Sequence, residues 1–186
     1  MVFYLFFLFI VIERIIELMI AKRNERTLKA MGAKEFGVRH YRWLVIMHVL
    51  FLFSFAAESL AKGAELSPWW PLLFGLFAAV QGLRFWTLRS LGRFWNTKIL
   101  VLPNAKVVAK GPYRWLRHPN YLVVVLEMWL IPLMFQAYGT ALIFSAANAV
   151  MLAIRIDVEE KALKSLTNYA DQFDERPRFL PLRPVK

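Results

Sequence analysis

Long apolar runs separated by short polar stretches dominate the pattern of the chain. At 1.5 Å per residue, helices formed by such runs approach the ~30 Å thickness of a hydrocarbon core. The pattern therefore predicts an all-α integral membrane protein with about five transmembrane helices. The five runs, each of about 17 to 19 residues, are Val2 to Ile20, Trp43 to Leu60, Pro68 to Trp86, Tyr121 to Tyr138 and Thr140 to Ile156.

The last two runs are separated only by Gly139. So short a connection predicts a tight antiparallel hairpin, closed by Gly139 in the left-handed conformation. Residues Val158 to Phe173 keep helical spacing with mixed charge, which predicts a C-terminal cytoplasmic helix that continues the fifth span or lies along the membrane surface. Beyond it, Pro177, Pro181 and Pro184 are expected to end regular structure.

Composition supports a membrane location. With 59% hydrophobic and 20% charged residues, a chain of 186 residues has more apolar surface than a soluble domain could bury. The length predicts a single domain, 1–186. The absence of cysteine excludes disulfide bonds and thiolate ligands, and three histidines argue against a dedicated metal site. Residues 1–12 lack the basic leader of a signal peptide, so we expect a retained first helix.

The basic residues predict an orientation. The net charge is +11, but the lysines and arginines fall in clusters between apolar runs, which indicates membrane anchoring rather than nucleic-acid binding. Five alternating spans place 22 of the 24 basic residues on one side, and Lys62 alone lies in an opposite loop. By the positive-inside rule, that side of the cell membrane is the cytoplasm, with the N-terminus outside and the C-terminus inside.

The polar stretch before the fourth span carries turn and helix-start signals. Gly111 and Pro112 indicate a turn, and Pro119 suits the first turn of a helix. Free N–H groups at that helix start, with Arg117 and His118 beside them, would form an anion site. The alternative is a basic interfacial loop with aromatic anchors.

A second polar group, Arg155, Glu159 and Glu160, lies at the membrane exit of the fifth span. Arg155 and Glu159 are four residues apart, so they share one helix face and can act on one ligand. The alternative is a surface ion pair of little energetic value, as expected for Asp157 with Lys161. Arg155 and Glu159 lie at the cytoplasmic edge, beside the loop that precedes the fourth span. This position favours a ligand-binding role over a surface ion pair.

Charged residues inside the spans need a partner or a ligand. Glu127 either lines an acceptor channel or pairs with Arg14 from the first span, whereas Glu58 is expected to be solvated at the outer surface. Trp95 and Lys98 could form the mouth of that channel or contact lipid headgroups.

The two polar groups together resemble a known family. The pattern Gly-Pro-Tyr-x-x-x-Arg-His-Pro-x-Tyr from Gly111, followed by Arg-x-x-x-Glu-Glu from Arg155, is similar to the isoprenylcysteine carboxyl methyltransferases over about 106–178. The resemblance implies a core for S-adenosylmethionine at 106–178 and an acceptor side at 1–105, with Arg155 as the catalytic residue that faces the acceptor. The cofactor-binding residues that it implies are Val107, Val108, Tyr113, His118, Pro119, Asn120, Tyr121 and Glu159.

The N-terminal half resembles a bacterial branch that O-methylates long-chain alkylpyrones. The matching residues are Arg14-x-x-Glu17, Ala21-Lys-Arg-Asn24, Gly32-Ala-x-Glu35-x-Gly37, His40-Tyr41 and His48. The resemblance implies an alkylpyrone hydroxyl as the acceptor and places His40 on the acceptor side with Arg155. Glu127, Trp95 and Lys98 are further acceptor-side candidates because of their positions in the chain. The alternative for His40 and His48 is a hydrogen-bonded structural role.

Three other functions stay open from the sequence. A methyltransferase of this type could act on a prenylated cysteine carboxylate or on a phospholipid amine. Sterol reductases share a similar C-terminal half but bind NADPH, although this chain is short for that group. A non-catalytic adaptor could use the basic face on anionic lipid. An ionised acceptor oxygen needs no strong general base, so the lack of an obvious base does not argue against transfer.

Overall fold

The computed structural model describes residues 1–179, in which helices predominate. Pro181 and Pro184, expected to end regular structure in the tail, lie outside this range. Six α-helices, two short 3₁₀ segments (Gly92–Phe94 and Gly111–Arg114) and two short strands follow one another along the chain. Their bounds are α1 Val2–Ala30, β1 Lys34–Phe36, α2 Val38–Ala61, α3 Trp70–Leu91, β2 Ile99–Val101, α4 Pro119–Met134, α5 Tyr138–Leu166 and α6 Tyr169–Phe173.

Three helices, α2, α3 and α5, are long and apolar enough to cross a bilayer, which fits a multi-pass membrane protein. Helix α4 is apolar but has only 16 residues, and α1 carries Glu13, Arg14 and Glu17 within its apolar half. Large apolar side chains on the outside of the helices are exposed, as lipid-facing residues are; Phe53 (71%) and Ile143 (64%) are examples. The buried aromatic core lies at the end of the bundle away from the basic loops, where Phe3 and Phe135 meet edge to face with 5.1 Å between ring centroids.

The turn between α4 and α5 differs from the one that the sequence predicted. Gln136, not Gly139, adopts the left-handed conformation (φ 59°), and Gly139 lies inside the first turn of α5. The N–H of Ala137 donates to the carbonyl of Pro132 at 2.9 Å, and that of Gln136 to Leu133 at 3.3 Å. This is the Schellman arrangement, which satisfies the last carbonyls of α4 without a glycine. The prediction was wrong because apolar residues continue through the turn and conceal it.

Glu58 also differs from expectation, because it caps α5 instead of facing solvent. Its carboxylate accepts from the N–H of Gly139 at 3.1 Å and from the N–H of Thr140 at 2.7 Å. A carboxylate at a helix N-terminus satisfies free donors and complements the helix dipole. Nearby, the hydroxyls of Ser54 and Thr140 are 2.8 Å apart.

Helices α2 and α5 run antiparallel in a register set by successive contacts. One contact is the Ser54–Thr140 hydrogen bond, and one turn further Phe51 meets Phe144 with 5.7 Å between centroids. Continuing the same register brings His48 level with Asn148. A further two turns bring Tyr41 level with Arg155.

A two-stranded antiparallel sheet modifies the all-α prediction. Strand β1 pairs with β2, with Lys34 opposite Val101 and Phe36 opposite Ile99. Beside it, Glu35 lies 2.7 Å from Lys29 Nζ and 3.3 Å from Lys98 Nζ. The sheet ties the loop after α1 to the loop after α3. Strands of three residues are too short to give a period-two pattern.

Helix α5 continues without a break from the apolar region to Leu166, and α6 follows at Tyr169–Phe173. Most of the segment predicted as a C-terminal helix, Val158 to Phe173, is thus an extension of α5, which is one of the two arrangements that the sequence left open. It carries Glu159 and Glu160 beyond the apolar run, to the level of the polar loops.

Candidate functional site

A cavity of about 150 Å³ lies between the polar loops and the end of α5. Most residues that the sequence implicated in cofactor binding line it, although they come from separate parts of the chain. Pro119 is an exception: it is buried at the first position of α4 and does not line this cavity. The implicated residues that do are Val107, Val108, Tyr113, His118, Asn120, Tyr121 and Glu159, and we call this space the loop cavity.

Gly111 positions Tyr113 in this cavity. The glycine has φ 58°, and a Cβ built on it would lie 2.1 Å from Ser90 Oγ and 3.0 Å from Trp86 Nε1 of α3. Only a residue without a side chain lets the loop approach α3 so closely. Tyr113 is then buried in the loop cavity, and burial raises the pKa of its phenol well above the ordinary value of 10, with the Glu159 carboxylate acting in the same direction. Its hydroxyl is therefore neutral.

A chain of hydrogen bonds joins α4, α5 and the loop before β2. Arg155 Nε donates to the Tyr121 hydroxyl at 2.7 Å, and that hydroxyl donates to Glu159. Arg155 Nη2 donates to the Thr97 carbonyl at 2.7 Å. Within the described residues, Nη1 of Arg155 is buried and has no hydrogen-bond partner. One guanidinium is thus held firmly at two nitrogens and has donor capacity left at the third.

Beside the start of α4, where the sequence predicted an anion site, Arg117 and His118 bind the chain itself. The N–H of Arg117 donates to the Pro177 carbonyl at 3.0 Å, and the N–H of His118 to the Arg178 carbonyl at 3.2 Å. The Arg117 side chain binds backbone too, since its Nε donates to the Arg176 carbonyl at 2.5 Å. The sequence could not show this because the donors and acceptors are about 60 residues apart.

Glu160 belongs to the same tail contact. His118 Nε2 lies 3.0 Å from Glu160 Oε1, and Arg178 donates to both carboxylate oxygens, at 3.0 and 2.7 Å. His118 also stacks on Tyr121, with 5.2 Å between ring centroids. Glu160 does not line the loop cavity, whereas Glu159, the next residue on the helix, does. Glu160 therefore holds the tail and orients His118.

Two residues of the site were not predicted from the sequence: Asn168, just before α6, and Tyr169, the first residue of α6. Asn168 Oδ1 accepts from the N–H of Val107 at 3.1 Å and holds the extended stretch at 105–110 along the cavity. Tyr169 lines the cavity and stacks on Phe173 with centroids 4.9 Å apart. Its buried hydroxyl has no partner among the described residues, and burial raises its pKa. Trp115, an aromatic residue of the same loop, does not line this cavity: it is 46% exposed and packs on Trp86.

A second cavity of about 350 Å³ extends from this site among the apolar parts of the helices. Its walls are mostly aliphatic and aromatic, with contributions from α1, α2, α3, α4 and α5. We call it the helix chamber. Five residues line both spaces and form the boundary between them: Trp95, Asn96, Asn120, Tyr121 and Arg155.

Glu127 lines the helix chamber, but its main partner is neither a ligand nor Arg14. Arg84 of α3 is buried and binds both carboxylate oxygens of Glu127, with Nε at 3.0 Å, and its Nη1 binds Glu17. Arg14 is a weaker second partner, 3.4 Å from Glu127. Arg84 is one of the 22 basic residues that the charge count placed on the cytoplasmic side, but it is buried within α3, close to Glu13, Glu17 and Glu127.

The other acceptor-side predictions have different outcomes. Trp95 lies on the boundary, where its Nε1 donates to Asn120 Oδ1 at 3.4 Å. Lys98 lines the loop cavity, but Glu25 at 2.7 Å and Glu35 neutralise it. His40 lines neither of the two cavities; its ring packs over Gly37, where an added Cβ would lie 2.1 Å away. His48 lines the helix chamber.

The fold and the site define a helical membrane protein in which a polar cavity meets an apolar chamber. Residues 73–165 match the model of the isoprenylcysteine carboxyl methyltransferase (ICMT) family, and the chain belongs to that family. Enzymes of this family are membrane methyltransferases that use S-adenosylmethionine.

Two relatives are similar over most of the chain. An uncharacterized protein, YpbQ, of Bacillus subtilis (strain 168) is 47% identical over 162 residues, which are 87% of this chain and 96% of the relative. An uncharacterized protein of Haemophilus influenzae is 29% identical over 154 residues, or 82% of this chain and 90% of the relative. The similarity to both extends beyond the matched family segment into the N-terminal half.

Proposed function

We propose that the protein transfers a methyl group from S-adenosylmethionine in the loop cavity to an anionic oxygen of a lipophilic acceptor in the helix chamber. The observation that carries this proposal is the shared boundary of the two spaces. Arg155 lies on that boundary, buried, and one of its guanidinium nitrogens has no partner in the described part of the chain. A donor and an acceptor that differ in polarity can thus meet at one residue from opposite sides.

The residues of the loop cavity suit the cofactor. Glu159 offers a carboxylate for its ammonium or ribose hydroxyls, and the Tyr169 hydroxyl has capacity for one more hydrogen bond. Val107 and Val108, with Tyr113, offer an apolar and aromatic surface for adenine. S-adenosylmethionine supplies an electrophilic methyl group on a cationic sulfur.

Arg155 is the residue that would hold the acceptor oxygen. Its free Nη1–H can donate to an oxyanion, while the bonds to Tyr121 and Thr97 keep the guanidinium in place. The attack of an anion on a cation neutralises charge, so exclusion of water by the apolar chamber favours it. Alignment of the partners supplies the remaining rate enhancement.

Two acceptors fit an apolar chamber that ends at a guanidinium. A long-chain alkylpyrone places an acidic ring hydroxyl at the boundary and its chain in the chamber, and the N-terminal resemblance favours it. A prenylated cysteine carboxylate has the same polarity and suits the family at least as well. The common class is a lipid with an acidic oxygen at one end.

The proposal includes a topology. Helices α1 and α4 join the three apolar helices as spans, α4 and α5 forming a hairpin. The charges of α1 are satisfied inside the bundle by Arg84 and Glu127. The N-terminus is then outside the cell membrane and the loop cavity faces the cytoplasm. Residues 106–178 hold the cofactor, and 1–105 form most of the acceptor side of one domain.

Ligand-dependent thermal stability in detergent tests the function class. We expect S-adenosylhomocysteine to raise Tm and NADPH to leave it unchanged, because a ligand that binds only the folded state stabilises it. Stabilisation by NADPH instead would support a membrane reductase. A response to neither ligand would favour a non-catalytic adaptor and reject the proposal.

A further inference from the structure

The helix chamber contains a buried polar side chain that has no role in the proposed methyl transfer. Asn148 of α5 lines the chamber and is only 1% exposed. Among the described residues, no group lies within hydrogen-bonding distance of its Oδ1. An unpaired buried polar atom costs about 1–3 kcal/mol of stability. An asparagine among apolar helices therefore needs a compensating role. Binding a ligand that supplies the missing hydrogen bond is such a role.

Two further polar atoms belong to residues that line the same chamber. The antiparallel register of α2 and α5 places His48 level with Asn148, and both residues line the chamber. His48 Nδ1 is 2.8 Å from the Leu44 carbonyl and so donates to it, which leaves Nε2 with a lone pair. Arg14 also lines the chamber, and its buried Nε has no partner in residues 1–179.

These groups lie deeper than the boundary. Asn148 precedes Arg155 by seven residues of one continuous helix, which corresponds to about 10 Å along the axis. Apolar side chains, including Leu44, Val124 and Leu152, line the chamber as well. The chamber therefore has a polar boundary and a second polar group about two helical turns further in.

The local charge limits what this second group can bind. Among residues 1–179, Glu13, Glu17 and Glu127 form ion pairs with two guanidiniums, so the cluster carries a formal excess of negative charge and disfavours a second anion. The unpaired Nε–H of Arg14 is a donor and requires an acceptor, which an ammonium group does not offer. A neutral hydroxyl satisfies both conditions, because it accepts from Arg14 and can donate to Asn148 Oδ1 or His48 Nε2.

We propose that Asn148, with His48 and Arg14, forms a second polar subsite that binds a neutral hydroxyl of the acceptor, about 10 Å from the oxygen held by Arg155. The subsite selects lipids with a hydroxyl part-way along the chain over plain alkyl chains. This inference rests on the proposed function, because it takes the helix chamber as the acceptor site.

The test uses octadecanoic acid and a series of its hydroxy derivatives, with the hydroxyl at successive chain positions. Their carboxylate suits Arg155, and binding is measured as thermal stabilisation in detergent without cofactor. We expect one mid-chain isomer, or two adjacent ones, to bind about ten-fold more tightly than the unsubstituted acid, the value of one hydrogen bond. In Asn148→Leu this preference should fall below two-fold, while the unsubstituted acid binds as in the wild type.

Ser145→Ala provides a matched control. Ser145 lies one turn away on α5 and also has a buried hydroxyl without a partner in the described range, but it lines neither cavity. This variant should keep the preference. Equal binding of all isomers, no binding of any acid, or a preference that survives in Asn148→Leu would overturn the subsite. Loss of the response to S-adenosylhomocysteine would instead reject the proposed function, so the two failures are distinguishable.

Discussion

Arg155 is the residue on which the two cavities converge. Two of its three guanidinium nitrogens are bound to Tyr121 and Thr97, and the third is free. Lysine has one charged nitrogen and no planar fork, so it cannot keep both bonds and hold an oxyanion. Replacement by lysine therefore preserves the positive charge but removes the planar arrangement of three nitrogens.

We expect Arg155→Lys to lower kcat for methyl transfer by about 100-fold or more, as the loss of an oxyanion donor does. The affinity for S-adenosylhomocysteine should change far less, since Glu159 and the loop make most of the proposed cofactor contacts. Single-turnover kinetics and calorimetry measure the two quantities. Arg89→Lys, at an exposed position on α3, is the control; a loss of cofactor affinity alone in Arg155→Lys would contradict the assignment.

Glu159 has the complementary role. Its carboxylate accepts the Tyr121 hydroxyl and lines the loop cavity, so Glu159→Gln removes a charge next to the proposed cofactor at little cost in volume. We expect affinity for S-adenosylhomocysteine to fall about ten-fold or more, with Tm of the unliganded protein nearly unchanged. Asp157→Asn, at an exposed position two residues away, should have no effect. Unchanged affinity in Glu159→Gln by calorimetry would reject the role.

At the scale of elements, the turn at Gly111 tolerates little substitution. Its positive φ and the approach to Ser90 both require glycine. Gly111→Ala should destabilise the protein by about 2 kcal/mol or more, because αL strain and steric overlap add. Gly82→Ala in α3, where an added Cβ meets nothing within 4 Å, should be neutral or stabilising. Similar Tm values in detergent for both variants would show that the close approach does not exist.

The ion pairs beside the β1–β2 sheet make its stability depend on pH. The hydrogen bond from Lys29, more than any other contact, lowers the pKa of Glu35 below its ordinary value of 4.5, and Lys98 acts in the same direction. A carboxyl group with a depressed folded pKa contributes stability above its ordinary pKa and loses it as pH falls toward the folded value. The pKa of Lys98 is raised, chiefly by Glu25, so its contribution is complete at neutral pH.

We therefore expect the wild-type Tm to fall as pH decreases below about 4.5 and Glu35→Gln to weaken that dependence. Glu65→Gln, at an exposed position in the loop after α2, serves as the control and should retain the wild-type slope. An identical slope in Glu35→Gln and the wild type would mean that the pairs do not couple to folding.

Sequence patterns predicted the elements well where hydrophobicity sets them. All five apolar runs lie largely within helices, because burial and membrane exposure both select long apolar stretches. The Gln136 turn and the β1–β2 sheet escaped prediction, since neither breaks the local hydropathy pattern. The role of Arg84 escaped prediction for a related reason: only the tertiary fold brings Glu17 and Glu127 to it.

At the scale of the whole molecule, the proposed orientation can be tested without background, because the chain has no cysteine. We expect an impermeant maleimide applied to intact cells to label Glu65→Cys but not Lys161→Cys. Permeabilised cells should give labelling of both, since both positions are exposed. Labelling of Lys161→Cys in intact cells would contradict a cytoplasmic loop cavity.

The sequence predicted residues of the loop cavity better than those of the helix chamber. The motifs at 111–121 and 155–160 contain several residues that line the loop cavity, including Tyr113, Tyr121 and Glu159. Tyr169 of the loop cavity and Asn148 of the helix chamber were not predictable in this way. Both have ordinary sequence neighbours, and they stand out only because each has a buried polar atom without a partner among the described residues.

The central claim is that a methyl group passes across the boundary at Arg155 to a lipid. Mass spectrometry of lipid extracts incubated with isotope-labelled S-adenosylmethionine tests it most directly. With the wild type we expect one lipid species to gain the labelled methyl group. With Arg155→Ala that species should be absent, although S-adenosylhomocysteine still raises Tm. No labelled lipid with the wild type, or equal labelling with the variant, would contradict the claim.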